Sequence, residues 1–186
     1  MHFSLADLIA DIAQNAAESG ARTVRVEIEE TDRRFRFSVA DDGKGMSPAE
    51  AERAKDPFHS DGIKHPNRRV GLGIPFLMQA AGQSGGAWDL VSEKGVGTTV
   101  SAWFDLANVD TPPRGSVPGL MRTVLLFSGP EDVELRRSVK DGRRDCSYEV
   151  RKSELLDALG SLEDAGALVL LDRYLLSLEE EDPAVG

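Results

Sequence analysis

The chain has 186 residues, 40% of them apolar and 29% charged, with a formal net charge of −10 and a sequence pI near 4.8. This composition suits one soluble domain, or one domain with a small appendage, that buries a real core, and its charge works against binding a nucleic-acid backbone. No apolar run approaches the roughly 18 residues of a membrane span, the N-terminus has no basic signal-peptide region, and Cys146 alone excludes an internal disulfide or a cysteine metal cage, so a reducing cytoplasm is the expected setting.

The spacing of Leu5, Leu8, Ile9, Ile12 and Ala16 predicts a helix over 4–19, with Ser4 and Asp7 as its capping box and Gly20 as its stop. Val24, Val26 and Ile28 alternate with Arg25 and Glu27 as in a half-buried strand, and Phe35, Phe37 and Val39 form the next one after a turn at 31–33. Pro48 opens a short helix over 48–56. Residues 59–70 are polar and basic and read as a loop. A helix over 73–82 then ends at Gly82, and strands over 87–92 and 98–106 are joined by a glycine-bearing connection.

Residues 110–119 hold three prolines and two glycines, which makes them the best linker in the chain and divides it into 1–108, a linker 109–119 and a small α/β extension over 120–186. In that extension 122–127 reads as strand or short helix. Residues 133–138 and 143–150 form a hairpin around Asp141-Gly142, Ser153 caps a helix over 154–160, and a last apolar helix covers 165–180. The extension is expected to dock on the sheet or to mediate dimerisation.

Three places carry chemistry. On the first helix Asp11, Asn15 and Glu18 share a face beside the apolar stripe. An amide at Asn15 can put its oxygen on a Mg²⁺ that also touches nucleotide phosphates, and a carboxylate one turn earlier, Asp11, can act as general base on water. The plain alternative for both is a solvated helix face. Asp41 has the parity of Phe35, Phe37 and Val39, so its carboxylate points toward the core, where a ligand amine such as that of adenine would be a suitable donor. The competing role, capping the following turn, suits Asp42 better. Gly43 and Gly45 would leave room for a flat ring. Thr98 has the parity of Val100, Ala102 and Phe104 and points the same way. Finally, Gly71-Leu72-Gly73 feeds a helix N-terminus suited to phosphate, and Lys64, Arg68 and Arg69 in the loop before it can neutralise phosphate charge. None of the three histidines stands in a known catalytic or metal spacing.

Taken together, these motifs resemble the GHKL superfamily of ATP-binding domains, which includes DNA gyrase B subunits, heat-shock chaperone ATPases, histidine kinases and mismatch-repair ATPases. Residues 11–18 resemble its N box, Asp41 to Met46 its first glycine box, and Asp56-Pro57-Phe58 its F box. Gly71 to Ile74 resemble its second glycine box and Gly97-Thr98-Thr99 its late threonine motif, all in the family's order over roughly 4–106. The resemblance implies a Bergerat fold, an α/β two-layer sandwich with helices on one face of a mixed sheet. It implies ATP and Mg²⁺ as cofactors, Asn15 as the metal ligand, Asp41 on the adenine amine with Thr98 in support, glycine boxes including Met46 bordering the nucleotide, and an ATP lid at 59–70.

The stretch from Asp56 to Thr99 is similar to a histidine kinase catalytic domain. The acids at 11 and 18 instead resemble the gyrase and mismatch-repair pattern, in which the first acid is the hydrolytic base, a Glu there and the shorter Asp11 here. Only three residues precede the first helix and no histidine follows the linker, so no phospho-acceptor hairpin is expected, and the layout resembles stand-alone histidine-kinase-like ATPases. Two functions follow as expectations. One is a Mg²⁺-dependent ATPase, or a kinase acting on a protein partner in trans. The other is a nucleotide-gated regulatory module similar in logic to anti-sigma regulators. A homodimer is among the expected assemblies; membrane and nucleic acid are not expected partners.

Overall fold

The computed structural model describes residues 4–56 and 73–180. Helix α1 (Leu5–Glu18) starts on the expected box: Ser4 Oγ accepts the Asp7 N–H, and the Asp7 carboxylate accepts the Ser4 N–H at 2.9 Å. Its stripe of Leu5, Leu8, Ile9, Ile12 and Ala16 is buried, and Asp11, Asn15 and Glu18 lie on the exposed side. Strands β1 (Thr23–Thr31) and β2 (Arg34–Asp41) pair antiparallel, with Val24 opposite Asp41. Helix α2 (Pro48–Lys55) is capped by Ser47, and α3 (Gly73–Gln83) leads into the antiparallel pair β3 (Ala87–Glu93) and β4 (Gly97–Asp105).

After β4 the chain forms α4 (Val117–Leu125), then β5 (Asp132–Lys140), β6 (Asp145–Arg151), α5 (Lys152–Leu159) and α6 (Ala165–Glu179). Residues 122–127, open to strand or helix by sequence, belong mostly to α4, which begins within the proline-rich stretch on the Ser116 cap. Ser153 does not cap α5. Arg151 holds that position without a side-chain bond, and Ser153 Oγ instead reaches the Asp132 carboxylate at 3.0 Å.

All six strands make one mixed sheet in the order β3-β4-β2-β1-β5-β6, with β5 parallel to β1 and every other pair antiparallel. Alternation is period two, so a single face is buried. It carries Val24, Val26 and Ile28 of β1, Phe35, Phe37 and Val39 of β2, Val100, Ala102 and Phe104 of β4, and Val133 and Leu135 of β5. The rings of Phe37 and Phe104 stack at 6.3 Å. Helices pack on this face, and the opposite face is polar, laced by ion pairs such as Arg25–Glu134 and Arg136–Glu149. This is the α/β sandwich with a mixed sheet that the sequence implies, and the residues after the linker continue its sheet.

The end of the buried face remote from Asp41 is ionic. Arg137, 2% exposed, donates to Glu30 and to Glu179 at the end of α6, and Glu30 also takes Arg114 from the linker at 2.6 Å. Tyr148 donates to Glu179. Burial pushes the Arg137 guanidinium down, but the two carboxylates outweigh it and hold it above its ordinary value.

Candidate functional site

The site forms where β2 ends and β4 begins. Register sets Asp41 opposite Thr98, and both side chains enter a cavity of about 290 Å³ between the sheet and α1. Ile12, Val39, Met46, Ile74, Leu90 and Val100 give it apolar walls. Asp41 is its half-buried carboxylate. Oδ1 accepts the Gly43 N–H at 2.9 Å and the Ser19 hydroxyl at 3.0 Å. Burial raises its pKa above the usual carboxylate value, and the bonds from Gly43 and Ser19 offset this only in part. Asp41 therefore caps its own following turn while facing the cavity. Asp42, the sequence-based choice for that turn, instead accepts the N–H groups of Arg22 and Thr23 at 2.8 and 2.9 Å and fastens the start of β1.

Thr98 Oγ1 lies 2.8 Å from Ser92 Oγ, which accepts the Met46 N–H at 2.9 Å. This chain of hydrogen bonds ties the first glycine box to the β3–β4 hairpin. The protein's own packing already requires both glycines. A Cβ on Gly43 would strike Ser19 and the Asp41 carboxylate, and one on Gly45, at φ +56°, would strike the Glu93 carbonyl. Gly45 and Met46 line the cavity, whereas Gly43 is buried behind Asp41.

Asn15 and Glu18 reach the cavity from the exposed side of α1, and Lys44 from the first glycine box. Glu18 accepts a hydrogen bond from Gln14 at 2.8 Å. Gly73 opens α3 against this helix face: a Cβ placed there would stand 3.5 Å from the Asp11 Cβ and 3.8 Å from Asn15 Nδ2. Asp11 and Asn15 thus lie beside the first described residue of α3. Lys64, Arg68, Arg69, Gly71 and Leu72, with Pro57 and Phe58 of the F box, lie outside the described residues.

Of the expected residues, Asn15, Asp41, Gly45, Met46 and Thr98 come together in one cavity, with Asp11 and Gly73 adjoining. Sequence reasoning missed Ser19, Ser92 and Lys44. Lys44 stands inside a motif already singled out, so its sign was available. The two serines are brought in by contacts between elements that no local pattern encodes.

The family profile described as "Histidine kinase-, DNA gyrase B-, and HSP90-like ATPase" matches residues 3–108. Sensor histidine kinase AruS of Pseudomonas aeruginosa is 34% identical over 152 residues, which cover 74% of this chain and 14% of that protein. The chain therefore spans a small part of that relative's length. Among solved structures, the N-terminal domain of a DNA repair protein matches with a TM-score of 0.52 at 12% identity, covering 89% of this chain and 58% of that one. The catalytic domain of histidine kinase ThkA matches with a TM-score of 0.41 at 19% identity, covering 53% of this chain and 63% of that one. With the profile spanning more than half of its residues, the chain belongs to the histidine kinase-, DNA gyrase B- and HSP90-like ATPases and carries their ATP-binding domain.

Proposed function

We propose that this protein is a Mg²⁺-dependent ATP-binding enzyme, an ATPase or a kinase acting on a protein partner in trans. The observation that carries the reading is a half-buried carboxylate, Asp41, at the edge of an apolar cavity whose other end opens on Asn15 and the start of α3. Apolar walls with a half-buried carboxylate among them suit a purine ring bearing an amine. Asp41 accepts that amine, and Thr98 supports it through its place opposite Asp41 in the register. Gly45 and Met46 border the ring.

Among the described residues no three His, Cys, Asp or Glu side chains gather as a metal cage. By the family resemblance Asn15, which lines the cavity, serves as the protein ligand to Mg²⁺, with nucleotide oxygens completing the shell, a sparse protein contribution that this ion accepts. When bound, Mg²⁺ supplies charge neutralisation on the phosphates. Lys44 adds a cation at the cavity, and the family resemblance assigns Lys64, Arg68, Arg69, Gly71, Leu72 and Gly73 to the phosphates. Asp11, one turn before Asn15 and beside Gly73, orients a water and takes its proton on the carboxylate.

Titration with Mg-ATP should give saturable binding, and the wild type should release phosphate. Asp11→Asn should cut release by about 10²- to 10⁴-fold while leaving affinity within a few-fold. Absence of turnover, alone or with partner proteins, overturns the enzymatic reading. A second reading, a nucleotide-gated regulatory module, draws on one observation: Val169, Leu170, Tyr174 and Leu176 of α6 are exposed on the element that ends in the Arg137 ion network, so this face is available to a partner or a second copy. It predicts ATP-dependent association without phosphate release.

A further inference from the structure

We infer that Ser19 is a positioning residue for nucleotide recognition: its hydroxyl holds Asp41 as a fixed acceptor, and the first glycine box is built around that bond. The inference rests on the reading of Asp41 as the acceptor of the base amine.

Ser19 directly follows α1, and its Oγ stands 3.0 Å from Asp41 Oδ1 and 2.7 Å from the Ala16 carbonyl, so one hydroxyl proton has two acceptors. The Ala16 carbonyl already accepts the Ser19 backbone N–H at 3.2 Å. The carboxylate is the stronger acceptor because it is charged. The hydroxyl is therefore shared between the two, with the ionised carboxylate the stronger claimant. Gly43 shows how closely this arrangement is packed, since the Cβ it lacks would fall on the Ser19 hydroxyl and side-chain carbon and within 2.8 Å of Asp41 Oδ1. With Oδ1 engaged by the Gly43 N–H and the Ser19 hydroxyl, and the Thr98 backbone also acting on the carboxylate, Asp41 cannot rotate freely at the cavity it lines. Ser19 also lines that cavity.

The bond counters the local electrostatics. Burial favours the neutral acid, and Asp42 next in sequence adds like charge, whereas the Gly43 N–H, the Ser19 hydroxyl and the Thr98 backbone favour the anion. The other charged groups at the cavity are Glu18 on α1 and Lys44 in the glycine box. A protonated Asp41 presents an O–H in place of an anionic acceptor, so affinity for an amine-bearing base falls as pH drops through its pKa. Removing the Ser19 hydroxyl removes a donor to the anion and moves that acidic limb to higher pH.

The test is the pH dependence of Mg-ATP affinity, by calorimetry, for the full-length wild type, Ser19→Ala and Asp41→Asn, with thermal melts to establish folding. Ser19→Ala should bind up to about tenfold more weakly at neutral pH, the worth of one net hydrogen bond. The ratio of its affinity to that of the wild type should fall further as pH is lowered; the nucleotide's own protonation cancels in this ratio. Asp41→Asn should lose most binding at every pH. A flat ratio with Asp41→Asn still inactive overturns the role of Ser19 and leaves the Asp41 reading standing. Wild-type affinity in Asp41→Asn overturns both.

Discussion

Asp41 is strained in an electrostatic sense before any nucleotide arrives. Burial keeps its pKa above the ordinary value, so the folded apo protein binds a proton more tightly than the unfolded chain does. By linkage, the contribution of Asp41 to stability is greatest below the unfolded carboxylate pKa and declines as pH rises through the raised folded value. At neutral pH Asp41 therefore opposes folding, and Asp41→Asn, which retains an oxygen for the Gly43 N–H, should raise the apo melting temperature while ligand binding is lost. An unchanged or lower melting temperature would contradict this. The residue was legible from sequence because strand parity is local, with Phe35, Phe37 and Val39 fixing its direction. Ser19 was not, because its partner lies 22 positions away across a helix–strand junction. The need for glycine at 45 was also hidden, since it arises from the Glu93 carbonyl of another hairpin.

At the level of elements, α1, the β1–β2 hairpin and the β3–β4 hairpin were readable because period and turn chemistry are local signals. The parallel pairing of β5 with β1 was not, because no turn joins parallel neighbours and the sequence holds only two alternating segments far apart. The ion network that fastens this joint was equally hidden. Glu30 and Arg137 look like ordinary surface residues in sequence, yet both face the core and are almost inaccessible. Such a group contributes most visibly when one partner is removed and a charge is stranded. Arg137→Met should lower stability by about 3 kcal/mol, the lower end of the usual range because Glu30 keeps Arg114. Chemical denaturation measures this. The exposed pair Arg22–Glu131, with both side chains mostly in water, provides the contrast, and its loss should leave the midpoint unmoved.

For the whole molecule, the boundary suggested by the proline-rich stretch divides sequence more cleanly than it divides structure. Residues 3–108 match the family profile, but β1 has β2 on one side and β5 on the other, and α4 packs beside α1. A fragment ending at 108 would expose the full length of β1 as an open edge together with the part of α1 that α4 covers, and such edges recruit other chains. It should aggregate on expression where the full chain stays monodisperse in size-exclusion chromatography. A well-behaved fragment with native Mg-ATP affinity would refute this. The same pairing has a temporal consequence. Arg25 and Glu134, joined across β1 and β5, are 109 positions apart. At ribosomal speeds the nascent chain waits roughly 5–20 s between making β1 and making its neighbour. During that interval β1 has its hairpin partner β2 but not its parallel neighbour, so one of its edges stays open until β5 is made.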